Sequence, residues 1–363
     1  MSILVTGGLG FIGSHTVVEL LCQQRPNKVV IVDNLSNSYT DVVDKIVECV
    51  ISDDGTDPSD RLIFEQGDLC DMEFLDDIFA RYDFDGVIHF AGLKAVNESV
   101  RLPLKYYRTN LVSTLNLLEV MEKHSVHNLI FSSSATVYGD SQPPLKEDDE
   151  TGHGITNPYG DTKHMIEVFL QRLGKTQSKW NLTALRYFNP IGAHPSGLIG
   201  ESPRDVPNNL MPWILRASKR GVKGDAHAEA RLTVYGNDYD TVDGTCVRDY
   251  IHVVDVAMAH IVAMRRWDSD EPAFSVYNLG TGRGTSVLGL IVQFEKATGV
   301  EIDWRFGPRR EGDLSECYCV PDKMERDFGW RAEKTVADMC IDSNRFYEHH
   351  IKKQQTVDNR EES

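Results

Sequence analysis

The chain has 363 residues, 41% hydrophobic and 26% charged, an ordinary globular composition that suits two domains or one nucleotide domain with a substrate lobe. A net charge of −17 and a pI of about 5.1 argue against general binding to nucleic acid or an anionic membrane, so an anionic ligand must be met by locally placed arginines. No apolar run reaches membrane length, the first strand pattern begins at Ile3, and the cysteines at 22, 49, 70, 246, 317, 319 and 340 form neither a disulfide framework nor a zinc-type pairing. The expectation is a cytosolic protein with reduced thiols, no metal, and no membrane or nucleic-acid partner.

Ile3, Leu4 and Val5 read as a buried strand, and Thr6-Gly7-Gly8-Leu9-Gly10-Phe11-Ile12-Gly13 leads into a helical pattern. The glycines fit G-x-x-G-x-x-G through Gly7, Gly10 and Gly13, and equally G-x-G-x-x-G through Gly8, Gly10 and Gly13. Either register gives a tight turn, backbone N–H groups close to a pyrophosphate, and close helix-to-strand packing, with Phe11 and Ile12 opening a helix whose positive end faces the phosphates. Lys28 to Val32 form a second strand that ends in Asp33, about twenty residues beyond Gly13. A carboxylate there accepts hydrogen bonds from an adenosine ribose and repels a 2′-phosphate, which favours NAD over NADP; the alternative is a strand-end cap feeding the turn Asn34-Leu35-Ser36-Asn37.

A helix is expected near 41–50, a solvated loop over 52–58, a strand from Leu62 to Gln66 and a helix from Met72 to Tyr82. Between the last two, Gly67-Asp68-Leu69 puts a carboxylate where it can reach the adenine amino group. The strand Gly86 to Phe90 opens into Ala91-Gly92-Leu93-Lys94, whose small residues let backbone lie against the cofactor. Helical spacing over 107–123 and a strand from Asn128 to Ser132 complete a repeating strand-helix pattern. The fold class is α/β, a doubly wound, Rossmann-like parallel sheet with ligands at the carboxyl ends of its strands. After a strand at Asn181 to Arg186, the texture beyond Phe188 turns to loops rich in Pro, Gly, His and Asn, the start of a smaller C-terminal substrate lobe. The expected division is 1–188 for the dinucleotide domain, 189–352 for the lobe with some segments returning, and 353–363 for a polar, frayed tail. Within the lobe a helix is expected over Tyr250 to Met264, a strand over Val276 to Leu279 and a helix over Leu288 to Thr298.

The strand at 128–132 runs into Ser132-Ser133-Ser134-Ala135-Thr136-Val137-Tyr138-Gly139, which points hydroxyls into the crevice where a nicotinamide would lie. Then comes Asn157-Pro158-Tyr159-Gly160-Asp161-Thr162-Lys163. Asn157 is a good N-cap and Pro158 a good first helical residue, so Tyr159 and Lys163 fall one turn apart on one face. The lysine ammonium and a positive nicotinamide ring both favour phenolate, lowering the tyrosine pKa from about 10 toward neutrality and making it a general base.

These motifs resemble the extended short-chain dehydrogenase/reductase family over nearly the whole chain, and most closely its members that invert C4 of UDP-hexoses. The match runs through Thr6-Gly7-Gly8-x-Gly10-x-x-Gly13, Asp33-Asn34-Leu35, Phe90-Ala91-Gly92-Leu93-Lys94, Tyr159-x-x-x-Lys163 and Arg186-Tyr187-Phe188-Asn189-Pro190. It continues through Pro207-Asn208-Asn209-Leu210-Met211-Pro212, Tyr235-Gly236-Asn237-Asp238-Tyr239, Gly244-Thr245-Cys246-Val247-Arg248-Asp249-Tyr250 and Arg309-Arg310-Glu311-Gly312-Asp313. The resemblance implies bound NAD, a homodimer packed through helices 107–123 and 158–173, and a UDP-hexose substrate epimerised through a transient 4-keto sugar.

It also implies residue roles. NAD would meet Gly7, Gly10, Phe11, Ile12 and Gly13, the loop from Asp33 through Asn34, Leu35, Ser36 and Asn37 to Ser38, then Asp68, Leu69, Phe90, Ala91, Gly92, Lys94, Ser132, Tyr159, Lys163 and Phe188. Ser134 and Tyr159 would bond the sugar O4, while Lys163 would hold the nicotinamide ribose and tune Tyr159. Lys94, Asn189, Asn208, Asn209, Leu210 and Tyr235 would take the nucleotide sugar. Arg248 and Arg310 would neutralise the diphosphate, with surface ion pairing to Asp249, Glu311 or Asp313 as the alternative for each; Asp313 would accept from the uridine ribose. Cys317 would line the sugar pocket, leaving room for a 2-N-acetyl group and so adding the N-acetylhexosamine pair as substrates, unless it is a buried structural thiol. Dehydratases of the family carry Thr-Asp-Glu where this chain has Ser134-Ala135-Thr136, which removes the acid and base that elimination needs. Tyr235, where the family often has Phe, and a long 52–61 loop are departures that do not touch this chemistry. The alternatives are a nucleotide-sugar dehydrogenase/reductase that consumes added NAD, and a catalytically idle NAD-sensing protein without turnover.

Overall fold

The computed structural model describes residues 1–363 apart from 24–27, 56, 205–206, 219–230, 269–273, 311 and 362–363, and it describes no side chains at 52–54 or 351–361. In the first half, strands and helices alternate: β1 (Ser2–Thr6), α1 (Phe11–Leu21), β2 (Lys28–Asp33), α2 (Val42–Asp54), β3 (Leu62–Gln66), α3 (Met72–Arg81), β4 (Gly86–His89), α4 (Val96–Arg101), α5 (Pro103–Lys123), β5 (Asn128–Ser134), α6 (Pro158–Thr176) and β6 (Asn181–Tyr187). The second half brings β7 (Asn189–Ile191), α7 (Leu210–Ser218), β8 (Leu232–Tyr235), β9 (Val247–His252), α8 (Val253–Ala263), β10 (Phe274–Leu279), β11 (Gly284–Ser286), α9 (Val287–Thr298), β12 (Trp304–Gly307), β13 (Glu316–Cys317), α10 (Asp322–Phe328) and α11 (Val336–Glu361).

A seven-stranded parallel sheet in the order β10-β6-β5-β4-β1-β2-β3 forms the centre. Its strands are nearly continuous runs of apolar residues because both faces are covered. Alternation along β1 and β2 divides the side chains: Ile3, Val5, Val29 and Ile31 join one buried cluster with Val17, Ile46 and Val256 of α1, α2 and α8. Leu4, Val30 and Val32 join another with Leu75, Leu117 and Ile166 of α3, α5 and α6. The sheet order reverses beside β1, so the carboxyl ends of β1 and β4 open the crevice where a doubly wound fold takes its ligand.

Beyond β6 the chain passes through Phe188 into β7, which pairs with β9; β11, β9 and β13 form the rest of a smaller sheet. Asp249, fully buried in β9, fixes this layer by accepting hydrogen bonds from the backbone N–H groups of Thr281 and Gly282 at 2.7 and 2.9 Å. β10 then returns to the edge of the central sheet. Three expectations need correction. The loop expected from 52 begins only at Gly55, because α2 continues as helical backbone to Asp54 and the Gly55 N–H closes it on the Ile51 carbonyl. The helix expected to begin at Tyr250 starts at Val253, because residues 250–252 pair with β7 and the His252 ring caps α8 by accepting from Val254 N–H. The tail expected to fray after 352 continues as helical backbone to Glu361, part of α11.

Candidate active site

The turn between β1 and α1 is built for close approach. Gly7 has φ 68°, a left-handed value, and a Cβ there would lie 2.7 Å from the Ala91 nitrogen; one on Gly13 would lie 2.4 Å from the Gly7 carbonyl oxygen. Any larger residue at either position therefore pushes the β1 turn away from the β4 loop or α1 away from the turn. Gly10 caps α1 with no side chain at all. This leaves the first backbone N–H groups of α1 bare, a cradle that fits a pyrophosphate. Phe11 and Ile12 begin the helix, half-buried.

Asp33 ends β2 beside that turn. Its Oδ2 accepts from Leu9 N–H at 3.1 Å and its Oδ1 from Leu35 N–H and the Ser38 hydroxyl at 2.9 and 2.8 Å. A carboxylate offers about four acceptor positions, so one remains for a ribose hydroxyl, and the other three set its direction. Leu35 takes φ 59° to make this bend. Asn34 donates to Asp68 at 3.1 Å and accepts from Ser36 N–H, while Asp68 also accepts from Cys70 N–H. Burial works against the Asp68 carboxylate, yet these donors outweigh it and leave the pKa below its ordinary value. Leu69 is buried beneath, and Asn37 and Ser38 close the loop. Across the crevice, Phe90, Ala91 and Gly92 follow β4, and Asn110 of α5 pins Leu93 by accepting from its N–H and donating to its carbonyl.

The catalytic candidates meet at the end of β5. Asn157 caps α6 by accepting from Gly160 N–H at 2.9 Å, and Pro158 starts the helix, which puts Tyr159 and Lys163 on its crevice side. Lys163 Nζ donates to the Ser132 carbonyl at 2.6 Å and meets its hydroxyl at 3.3 Å. Burial pulls the lysine down to about 7, with the Glu167 carboxylate one turn along working the other way. Ser134, nearly buried, accepts from the Thr136 N–H and hydroxyl at 3.2 and 3.0 Å and neighbours Tyr159, whose pKa it draws down. The expectation of a tyrosine lowered toward neutrality is not met by the chain's own groups. Burial raises the Tyr159 pKa and the Ser134 hydroxyl lowers it, while the Lys163 ammonium lies 5.9 Å from the ring centroid with its donors turned onto Ser132.

Glu167 went unnoticed in the sequence, although it repeats the Lys163 spacing by another four residues. It accepts from Ser133 and is ion-paired with Arg186 at 2.7 Å, both side chains almost wholly buried. Arg186 in turn stacks on Tyr138, whose hydroxyl donates to Asn278 at 2.7 Å. Beside this network Phe188 is buried with Val137, Tyr138, Leu145 and Cys319, and Cys317 packs against the group from β13. Burial raises the Cys317 thiol to about 11, so it is present as a small neutral side chain rather than a thiolate.

The substrate candidates are gathered from the second sheet. Asn189 lies in β7 opposite Tyr250, and Arg248 in β9 opposite Cys317. Arg248 donates to the Leu314 carbonyl at 2.9 Å and faces Asp313 at 3.8 Å; Arg310 stacks over Tyr235 at 4.5 Å and faces the same Asp313 at 3.5 Å. These distances are loose for ion pairs, so both guanidinium groups keep donors to offer an anion. Leu210 starts α7, with Asn208 and Asn209 exposed just before; Asn209 donates to Glu201 at 2.6 Å, and Lys94 donates to the same carboxylate at 3.0 Å. Glu201 had no signal in the sequence. Glu311, part of one quoted motif, lies outside the described residues. Among the described residues no group of His, Cys, Asp and Glu is arranged to hold a metal, and no helix is long and apolar enough to cross a membrane.

A model of the NAD dependent epimerase/dehydratase family matches residues 3–280. The chain is similar to the UDP-glucose 4-epimerase of Bacillus subtilis, with 47% identity over 97% of this chain and 98% of that one. Among solved structures, it is similar to UDP-glucose 4-epimerase from Bifidobacterium longum in complex with NAD+ and UDP, with TM-score 0.86, 44% identity, and 96% and 98% of the two chains covered. It is also similar to the UDP-Glc/GlcNAc 4-epimerase of Campylobacter jejuni, with TM-score 0.78, 32% identity, and 96% and 99% covered.

Proposed function

The chain belongs to the NAD dependent epimerase/dehydratase family, and from that premise we propose that it inverts C4 of a UDP-hexose, interconverting UDP-glucose and UDP-galactose through a transient 4-keto sugar. The observation that carries this reading is Lys163 anchored on Ser132 at the end of β5, with Tyr159 one turn before it on α6 and Ser134 two residues along the strand. When bound, NAD supplies a hydride acceptor and donor for C4 and a positively charged ring. Tyr159 takes the O4 proton through its contact with Ser134 and gives it back after the keto sugar has turned over. Lys163 holds the nicotinamide ribose, and its charge, added to that of the ring, offsets the burial that raises Tyr159. With Ala135 and Thr136 beside Ser134, that stretch supplies no carboxylate pair to expel water from the keto sugar, so the keto sugar is reduced again at C4 rather than dehydrated.

Residues 1–188 are proposed to carry NAD and 189–352 chiefly the UDP-sugar, with β10 returned to the first unit. Arg248 and Arg310 neutralise the diphosphate, which matters in a chain of net charge −17. Asp313 orients the uridine ribose; Asn189, Asn208, Asn209, Leu210, Tyr235 and Lys94 line the nucleotide-sugar path. Cys317, small and neutral against Phe188, leaves room at the sugar for a 2-N-acetyl group, so the N-acetylhexosamine pair is proposed as a second substrate. The chain is proposed to work as a cytosolic homodimer, supported by seven cysteines free of disulfides and by exposed Val112 and Leu115 on α5 and Met165 on α6, helices that pack side by side. Incubating the purified protein with UDP-galactose and no added nucleotide tests the reaction. UDP-glucose should form; stoichiometric consumption of added NAD without an epimer would replace this reading with a net dehydrogenase.

A further inference from the structure

Two charged residues of the segment that joins β7 to α7 are fastened to the opposite side of the crevice, and the activity proposed above gives them no role. Glu201, its side chain only 11% exposed, accepts from Lys94 in the loop after β4 at 3.0 Å. Arg204 reaches the loop after β2: its Nε and Nη2 donate to the Ser38 carbonyl at 3.0 and 2.6 Å, its backbone N–H meets the Asn37 side-chain oxygen at 3.3 Å, and its guanidinium lies 4.5 Å from the centroid of the Tyr39 ring.

β4 and β2 are the two neighbours of β1 in the sheet. Their separation is two strand spacings, about 9.5 Å, and three residues of extended chain reach about 10 Å. Glu201-Ser202-Pro203-Arg204 is non-helical and has the length to bridge that gap. Anchored to the loops after both neighbours of β1, it is long enough to span the carboxyl end of the strand that leads into the glycine turn. Each anchor also touches a group aimed at a ligand. The Ser38 hydroxyl braces Asp33 at 2.8 Å, and Glu201 shares its carboxylate with Asn209 at 2.6 Å.

We propose that Glu201 and Arg204 form a clasp that retains the dinucleotide: the strap between them closes over the pyrophosphate cradle, and its grip is tied through Asn209 to occupancy of the UDP-sugar path. A redox-neutral cycle requires such retention, because a dinucleotide that leaves between the two half-reactions strands the keto sugar. Arg204 acts through the Asp33 loop and is a positioning residue. The inference rests on the crevice being an NAD site and on no particular sugar.

The test is dinucleotide exchange in the holoenzyme, followed by chasing bound NAD with excess etheno-NAD and monitoring fluorescence. Arg204→Ala should exchange at least tenfold faster than wild type at unchanged melting temperature, with kcat near wild type when NAD is saturating. Arg204→Lys, which keeps the charge over Tyr39 and one donor, should fall between. Saturating UDP should slow exchange in wild type, and not in Glu201→Gln, which keeps the shape of the side chain and weakens its hold on Lys94; this second variant carries the test if Arg204→Ala does not fold. Exchange rates within twofold of wild type in Arg204→Ala, or an equal effect of UDP in wild type and Glu201→Gln, would overturn the clasp. Exchange needs no turnover, so a wild-type protein that fails to convert UDP-galactose while Arg204→Ala still loses NAD rapidly would sink the proposed reaction and leave the clasp standing.

Discussion

Lys163 is held in a site that disfavours its charge, and removing it should stabilise the fold while abolishing most activity. Burial brings its pKa from 10.5 to about 7. That interval corresponds to roughly 4–5 kcal/mol at about 1.4 kcal/mol per pKa unit. The sign follows from linkage. Because the folded pKa lies below the unfolded one, the unfolded chain binds the extra proton between about 7 and 10.5, so the full cost is present below pH 7 and disappears as pH rises through 10.5. Lys163→Met removes that cost, but it also removes the ammonium over the Phe131 ring and the donor to the Ser132 carbonyl, a loss of about 1–3 kcal/mol. The net gain should be roughly 2–3 kcal/mol at pH 7. With an unfolding entropy of about 2 cal/mol/K per residue, a chain of this size should melt about 3–4 °C higher. Thermal and urea unfolding of dinucleotide-free wild type and variant at pH 7 and pH 10.5 read the effect directly: a clear advantage for the variant at the lower pH, reversed at the higher to a deficit of about 1–3 kcal/mol from the lost donor. In the same variant, activity should need a higher pH, because the phenolate has lost its nearest fixed charge. A variant less stable than wild type at pH 7, or an advantage unchanged at pH 10.5, would refute the account of a lysine strained by burial.

Tyr159→Phe should keep the fold and bound NAD and lose of order 10²-fold or more in kcat, measured by epimer formation; near-normal kcat would remove Tyr159 from the role of base. Cys317→Tyr should fill the space beside Phe188 and cut turnover of the N-acetylhexosamine pair by about 10–200-fold while sparing glucose and galactose, a split checked by steady-state kinetics on both pairs. The reasoning fails if wild type never turns over either N-acetyl sugar. Burial lowers His15 and His89 to about 3 and His260 to about 4. Below pH 6.5 the unfolded chain therefore gains protons that the folded chain refuses, and each histidine should cost up to about 1.4 kcal/mol of stability per pH unit. Urea midpoints should fall between pH 7 and pH 5, less steeply in His89→Asn; a flat profile would show that these rings charge without unfolding.

The central sheet was legible because its signal is local. Val29 to Val32 are apolar on both faces since helices cover both, and Gly7 and Gly13 are glycines because a Cβ at either would strike backbone. Where local pattern and tertiary pairing compete, the reading slipped. Tyr250, Ile251 and His252 continue the apolar spacing of α8, and only the hydrogen bonds offered by β7 make them a strand. The end of α11 failed differently: a polar sequence reads as frayed, but backbone hydrogen bonding continues to Glu361.

The candidate site divides along the same line. Tyr159 and Lys163 are one turn apart on a capped helix, so spacing alone sets them on one face. Their electrostatics do not follow from spacing alone, because a pKa depends on what surrounds a group in space. The nearest positive charge in sequence to Tyr159 is Lys163, yet that ammonium is turned onto Ser132 and burial is the largest influence on both groups. Glu167 and Arg186 show why the counter-charge stayed hidden: nineteen residues apart, they meet only because α6 packs across the strand that carries Arg186. The anchors at Glu201 and Arg204 are further still from any sequence signal, since their partners are 107 and 166 residues away. Motifs record groups that must touch a shared ligand in a fixed geometry. A clasp needs only two compatible charges wherever the chain crosses the crevice, so its residues can be recognised only after the strands on either side of β1 are in place.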